Sequence, residues 1–556
     1  MPASLDFVQF ESAIDQYTQN LAAQKSLRDV HALLAAISYV ASIDLKTGKP
    51  LQEQERTRGS SRLGYLVPLL RDVDTLGELK SADEALWAWG EPETQALSAK
   101  WLLAYSDFCS IAPFVHRGVL TGQLDEGTLV VQHLDEETRA TEEQDLILSN
   151  LALPFAIHSP AAHSMWFDAQ TCQLPSLDGE IMTVLSDLAE WYTENIFEII
   201  PISSQAMEST FGFSEREYRR FVGACYAVSQ LHISIADAIM RRSFADTGYG
   251  ESSEAGSEMR EWAAPCLKKD ALLGLIGRSA GLETPTTEMI YALYAVTNNG
   301  EWGKGEGCCP PFIEIGDHVA FSPLAIRHSM SFRNALYAML VRDQSAFDNL
   351  ISKHLEPRLI TLAEELFSKH TNFHLASNID WGAGEIDLAV YDSNANSVLI
   401  VEAKGVVMPE GARMVHRAEG RLLEGISQLA EFTSLPSRRK DAILSKAFGI
   451  SVRQPHIQPG LLTWAGFGTT RIWRKLDGIA PLNPAILLEL LRKSPAIALE
   501  DFPGEAHSLI CCMVKEAKPQ WTRQCRQCGE LEFDYPTLEF DGMALTKYTR
   551  QLFASS

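Results

Sequence analysis

Gly384-Glu385-Ile386-Asp387-Leu388-Ala389-Val390-Tyr391 and Val398-Leu399-Ile400-Val401-Glu402-Ala403-Lys404-Gly405 are the two runs on which the fold turns. The first sets apolar residues around Asp387 in the alternation of a half-buried strand. The second is apolar until Glu402 and Lys404. Between them lies Asp392-Ser393-Asn394-Ala395-Asn396-Ser397, a cluster of turn residues. Two antiparallel strands joined by a hairpin loop are expected. Side chains alternate faces along a strand, so Glu402 and Lys404 point the same way and Asp387 can face them from the neighbouring strand. Two carboxylates suit Mg²⁺, which takes one or two carboxylates, several waters and a phosphate. A lysine beside them can orient an attacking water or neutralise charge as a phosphodiester is cleaved.

Asp387, followed by Glu402-Ala403-Lys404, resembles the core of the PD-(D/E)XK nuclease superfamily. The resemblance covers about 80 residues, from His354 to Phe432. Ile386 stands where the superfamily's name has proline. The resemblance implies an α/β restriction-endonuclease-like domain with a central mixed sheet. It also implies a glutamate on the preceding helix and a glutamine on the following one. Glu356 opens a proline-started amphipathic segment, and Ile360, Ala363 and Phe367 continue its face towards the sheet. Glu364 and Glu365 are its rivals. The implied metal set is Asp387, Glu402 and Glu356, with Mg²⁺ as cofactor and Mn²⁺ as a substitute. Lys404 and Gln428 complete the catalytic group. The activity implied is a metal-dependent endonuclease acting on DNA, with RNA also open, in restriction, repair or defence against phage.

From Gly411 to Thr433 there is no proline, so one helix is expected. Arg413, Arg417, Arg421, Glu424 and Gln428 share one arc of it, and Val415, Leu422, Ile426, Leu429 and Ala430 the opposite arc, which should pack on the sheet. The whole chain carries a net charge of −24, which runs against nucleic-acid binding. Its distribution reverses that reading locally. Residues 1–350 hold 25 basic and 48 acidic residues, whereas 411–476 hold 11 basic and 4 acidic. Phosphate contacts dominate nucleic-acid affinity, so Arg413, Arg417, Arg421, Arg438, Arg439 and Lys440 are the candidate contacts.

At 556 residues the chain is too long for one core. An acidic, mostly helical domain is expected over 1–243, a linker over 244–257, and a helical segment with a β-hairpin over 258–350. The nuclease-like domain follows over 351–476 and an extension over 477–556. Helices are read over 27–45, 97–109, 181–199 and 215–243, a strand over 127–132, an acidic patch over 135–145 as a solvated loop or helix start, and a loop over 300–311. Phe312 to Phe321 reads as a hairpin turning at Gly316-Asp317, and this lead-in is similar to the segment before the core in bacterial members of the superfamily. Leu461–Ala465 and Thr470–Trp473 read as further strands, and Asn483 as the cap of a helix begun by Pro484.

Cys525-Arg526-Gln527-Cys528-Gly529 is half a zinc site, for which Cys511, Cys512 or His507 would have to supply the rest. Ten cysteines in so long a chain do not make a disulfide framework. The N-terminus reads as no signal peptide, and no apolar run is long enough to span a bilayer. A cytoplasmic protein without membrane contact is expected. No P-loop, His-Glu-x-x-His or Gly-x-Ser-x-Gly motif is present. Two functions remain. One is a nuclease whose acidic helical half serves as a sensor, an autoinhibitory surface or a platform for a protein partner or a second copy of the chain. The other is an inactive scaffold whose acidic half binds a basic partner.

Overall fold

A computed structural model describes residues 5–22, 92–151, 155–156, 180–247, 261–262, 264–296, 311–323, 326, 330–408, 412–493 and 498–555. The helix expected over 27–45, most of the linker over 244–257 and the loop over 300–310 lie outside the described residues. The architecture is mixed α/β, with a five-stranded mixed sheet at its centre.

That sheet is built from β1 (Phe373–Asp380), β2 (Glu385–Asp392), β3 (Ser397–Lys404), β4 (His456–Thr463) and β5 (Ala480–Leu482), in the order β5-β4-β3-β2-β1. β1, β2 and β3 run antiparallel in sequence, as the hairpin reading requires. β3, β4 and β5 run parallel. A parallel neighbour needs a long crossover. Here α2 (Ala412–Thr433) and α3 (Ser437–Phe448) provide it between β3 and β4. Every residue of β3 is buried, which explains why its sequence reads as a continuous apolar run.

α1 (Glu356–Phe367) buries Leu359, Ile360, Ala363, Leu366 and Phe367 against this sheet. A π-helical turn, Ile351–Leu355, leads directly into it. The Trp464 indole donates to the Leu355 carbonyl there at 3.2 Å. This bond fixes the point at which α1 begins, and so fixes Glu356.

The N-terminal half holds a helical body with its own core. Glu180–Asn195, Glu215–Thr247, Lys269–Ala280, Thr284–Tyr294 and Phe332–Arg342 pack around the hairpin Phe312–Ile315 and His318–Phe321. The hairpin turns at Gly316, whose φ of +62° only glycine adopts without strain. The 15-residue helix Glu136–Asn150 is capped by Asp135, as the acidic stretch there anticipates. Asp145, however, is buried rather than solvated.

Three expectations change. Thr470–Trp473 is a helical turn capped by the Thr469 side chain, not a strand. Ala430 is exposed; the rest of the expected arc, Val415, Leu422 and Leu429, is buried with Ile426 packed beside it, and Met414, Ala418 and Phe432 widen the buried stripe. The segment from residue 477 is not a separate extension. Pro484–Lys493 and Phe502–Ala517 belong to the core around the central sheet. The strands Gln520–Cys528 and Leu531–Glu539 join Leu120–Asp125 and Thr128–His133 in one four-stranded sheet. Leu531–Glu539 and Thr128–His133 pair parallel within it. The helices Leu5–Ala22 and Pro92–His116 pack on that sheet through Phe7, Phe10, Phe108 and Phe533.

Candidate active site

Leu388 pairs with Val401 across β2 and β3, and one further step of that register sets Asp387 opposite Glu402. Asp387 Oδ2 accepts a hydrogen bond from the Ala403 amide at 2.7 Å, so the acid is fixed by the strand that carries its partner. Glu402 is 1% exposed. Its Oε2 accepts from Lys404 Nζ at 3.2 Å. No donor reaches its buried Oε1.

Lys404 also donates to Gln428 Oε1 at 2.8 Å. The ammonium is therefore held between an acid of its own strand and an amide of α2. Gly425 stands one turn before Gln428. A Cβ there would lie 2.8 Å from Lys404 Cε, closer than carbon atoms approach, so the lysine stem runs where this glycine leaves space.

Burial is the main reason why the Glu402 carboxyl is pushed up to about 8. The Asp387 charge adds to it, and Lys404 opposes it. Asp387 is also raised, by burial first, against the Ala403 amide and Lys404, with the Glu356 charge adding to the rise. The two carboxyls are also hydrogen-bonded to each other, Glu402 being the one raised by it, and no N–H donor reaches Glu402 Oε1. That arrangement fits an ion which takes one or two carboxylates and fills its remaining positions with water and phosphate, the habit of Mg²⁺. Among the described residues, no three or more His, Cys, Asp or Glu side chains gather closely enough to hold a metal ion alone.

Glu356 is accordingly not the third member of a carboxylate cluster. Its Oε1 accepts from the Gly405 amide at 3.1 Å and from Arg421 Nη2 at 2.9 Å. A Cβ on Gly405 would lie 2.9 Å from Ile351 and 3.1 Å from Glu356 Cγ. The bare backbone thus lets Glu356 tie the start of α1 to the residue after Lys404. Of its rivals, Glu365 pairs with Arg358 at 3.2 Å, and Glu364 accepts the closing amide of its own helix through its backbone carbonyl.

The basic arc of α2 is partly engaged by acids, though Arg417 and Arg421 stay about a quarter exposed. Arg421 is bound to Glu356, and Arg417 is paired with Asp348 and lies over the Phe347 ring. Their spacing on the helix is as expected, but acids of neighbouring segments occupy them. The side chain of Arg413 lies outside the described residues. At the start of α3, Arg438 is exposed, Arg439 donates to the Trp381 carbonyl at 3.1 Å, and Lys440 donates to the Thr433 carbonyl at 2.8 Å. The Arg439 bond brings this basic turn beside the β1–β2 turn that precedes Asp387.

The cysteines do not converge. Cys525 and Cys528 stand three apart on one strand, so they face opposite sides. Cys525 is exposed and donates to Glu532, whereas Cys528 is buried against Thr18. Cys511 and Cys512 are exposed on Phe502–Ala517, and His507 packs near Trp473.

Sequence reasoning missed Glu419, which is buried on α2 and accepts from Arg117 at 2.7 Å and from Thr469. Its partners lie 302 and 50 residues away, so no local signal marks it. Gly425 could have been found, as a glycine at helical spacing before Gln428. No family model, curated protein or solved structure matches the chain.

Proposed function

We propose that the chain is a metal-dependent nuclease that cleaves phosphodiester bonds in DNA. The observation that carries this reading is the buried Asp387–Glu402 pair, with Glu402 Oε1 lacking any donor and Lys404 anchored beside it. A structural ion pair has no need of the second carboxylate. A buried oxygen without a donor costs about 1–3 kcal/mol, a cost that a bound cation would offset.

Asp387 and Glu402 would hold a divalent cation, which supplies Lewis-acid stabilisation of the charge that builds on the phosphoryl group. Lysine has three N–H donors. Glu402 and Gln428 take two of Lys404's, and the third is left for the attacking water or a phosphate oxygen. Gln428 keeps the ammonium from folding back fully onto Glu402. Glu356, through the Gly405 amide, holds the end of β3 in place. The exposed Arg438 and its neighbours lie on the approach to Asp387, where a duplex backbone would pass.

The test is incubation of the full chain with linear, circular, nicked and single-stranded DNA, and with RNA, in Mg²⁺, Mn²⁺ or EDTA. Cleavage is expected with either metal, none in EDTA, and none for Asp387→Ala or Glu402→Ala. Equal cleavage by these variants, or no metal-dependent cleavage of any substrate, would overturn the reading.

A further inference from the structure

We propose that a second cavity, separate from the carboxylate pair on β2 and β3, binds a small aromatic ligand that carries a protonated nitrogen. The cavity measures about 390 Å³, within the usual range of small-molecule pockets. It lies where the helices Pro92–His116 and Glu136–Asn150 meet the C-terminal hairpin and the residues Gly468 and Thr469.

Its walls are aromatic. Phe114, Trp521, Tyr535 and Phe540 face it. Trp521 is set in place by its indole N–H, which donates to Glu143 at 2.6 Å, and its ring stands edge-on to His133 with centroids 4.4 Å apart. Tyr535 is set by a 2.7 Å bond to Asp107. Rigid aromatic surfaces of this kind take a flat ring or a cation on their faces at little ordering cost.

Its polar side is acidic. Glu142 and Asp145 are three residues apart on one helix, so they share a face. Glu142 Oε2 meets His133 Nε2 at 2.6 Å, and no described donor reaches Glu142 Oε1. Asp145 Oδ1 accepts from the Phe467 amide at 2.5 Å and from the Trp473 indole at 3.0 Å, and the carboxyl also takes the Gly468 amide. Gly466 leaves no room there, since a Cβ would lie 2.7 Å from Asp145 Oδ1, so the loop closes tightly over the acid. Burial pushes Asp145 up to about 7, and the Glu142 charge contributes to the rise. His133, bonded to Glu142, is the basic side chain among the residues that line the cavity. An ammonium or amidinium would supply the charge that the two acids lack. A phosphate or carboxylate would meet the Glu142 carboxylate and the acceptor oxygens of Asp145.

Calorimetry on the full chain tests this with charge-matched probes: tryptamine and benzamidine against indole-3-acetate and benzoate. The amines are expected to saturate at one equivalent and to bind at least about tenfold more tightly than the anions, a difference of about 1.4 kcal/mol. One-to-one saturation separates the cavity from diffuse attraction to an acidic chain. Glu142→Gln is expected to weaken tryptamine about tenfold. Asp145→Asn, which keeps Oδ1 as an acceptor for Phe467 and Trp473 but sets an NH2 against the Gly468 amide, is expected to do the same at some cost in melting temperature, so Glu142→Gln is the deciding variant. If the amines bind no better than the anions, if no probe binds at millimolar concentration, or if Glu142→Gln binds tryptamine as wild type does, the proposal is wrong.

Discussion

Glu402→Gln separates the cost of the carboxylate pair from its use. The Glu402 carboxyl sits at about 8 in the fold against an ordinary 4.5. A raised acid holds its proton in the folded state after the unfolded chain has lost it. Its destabilising effect is therefore absent below about pH 4.5 and grows as pH rises towards about 8. Each pH unit in that window costs up to about 1.4 kcal/mol, so the wild type loses up to about 4 kcal/mol between about pH 5 and pH 8 through this group. The glutamine has no proton to lose, and its amide oxygen can take the place of the Glu402 Oε2 that Lys404 meets. In EDTA, the variant should unfold at nearly the wild-type temperature at about pH 5. At about pH 8 it should unfold several degrees higher, since 1 kcal/mol is worth roughly 2–4 °C in a unit of this size. Millimolar Mg²⁺ should restore much of the wild type's lost stability at about pH 8 and leave the variant unchanged, because an ion that binds only the folded state stabilises it by mass action. Differential scanning calorimetry reads both effects. Parallel pH profiles for the two proteins would refute the argument, as would an equal Mg²⁺ response.

Gly425→Ala would ordinarily stabilise a helix by about 1 kcal/mol. Here the added methyl meets Lys404 Cε, so cleavage should fall at least about tenfold with no gain in melting temperature; wild-type turnover would show that the lysine stem lies elsewhere. Gln428→Ala should lower kcat with little change in KM, by roughly 10–100-fold, as loss of a positioning group does; a pure KM effect in steady-state assays would count against it. Because acids occupy Arg417 and Arg421, Arg417→Ala should leave the salt dependence of DNA binding unchanged, whereas Arg438→Ala should reduce its slope by about one unit; fluorescence anisotropy across a salt series distinguishes them. Glu198 is buried, pushed up to about 7 chiefly by burial, and accepts from Tyr218 at 3.2 Å. Glu198→Gln should therefore raise the melting temperature more at about pH 8 than at about pH 5, and the reverse order would exclude a buried protonated acid.

The hairpin and its acids were legible because their signals are local. Alternation around Asp387, turn residues from Asp392 to Ser397 and the Glu402–Lys404 spacing all lie within one supersecondary unit, and the register follows from them. β1 was not, since Phe373-His374-Leu375-Ala376-Ser377-Asn378-Ile379-Asp380 mixes polar and apolar residues on both faces, as a strand on the sheet's edge can. Thr470–Trp473 misled because four residues cannot distinguish a period of two from one of 3.6. The occupants of Arg417 and Arg421 could not be read at all. Asp348 and Glu356 lie 69 and 65 residues away, and a helix arc announces which way it faces but not what meets it. For the same reason the joining of residues 120–133 with 520–539 left no trace in either segment alone.

That joining bears on how the chain is made. Thr128–His133 emerges from the ribosome about 400 residues before Leu531–Glu539, the strand beside it. At synthesis rates of roughly 5–20 residues per second, its outer edge waits roughly 20–80 s for a neighbour. Throughout that interval the nascent two-stranded ribbon offers unpaired amides and carbonyls to any other ribbon on the same polysome. Its Leu129 and Val131, buried in the finished protein, have only the helices Leu5–Ala22 and Pro92–His116 to cover them until Phe533 and Tyr535 arrive. Ribosomes spaced closely on one message would thus place several such ribbons within reach of one another, and overexpression should lead to co-translational aggregation that slower initiation relieves.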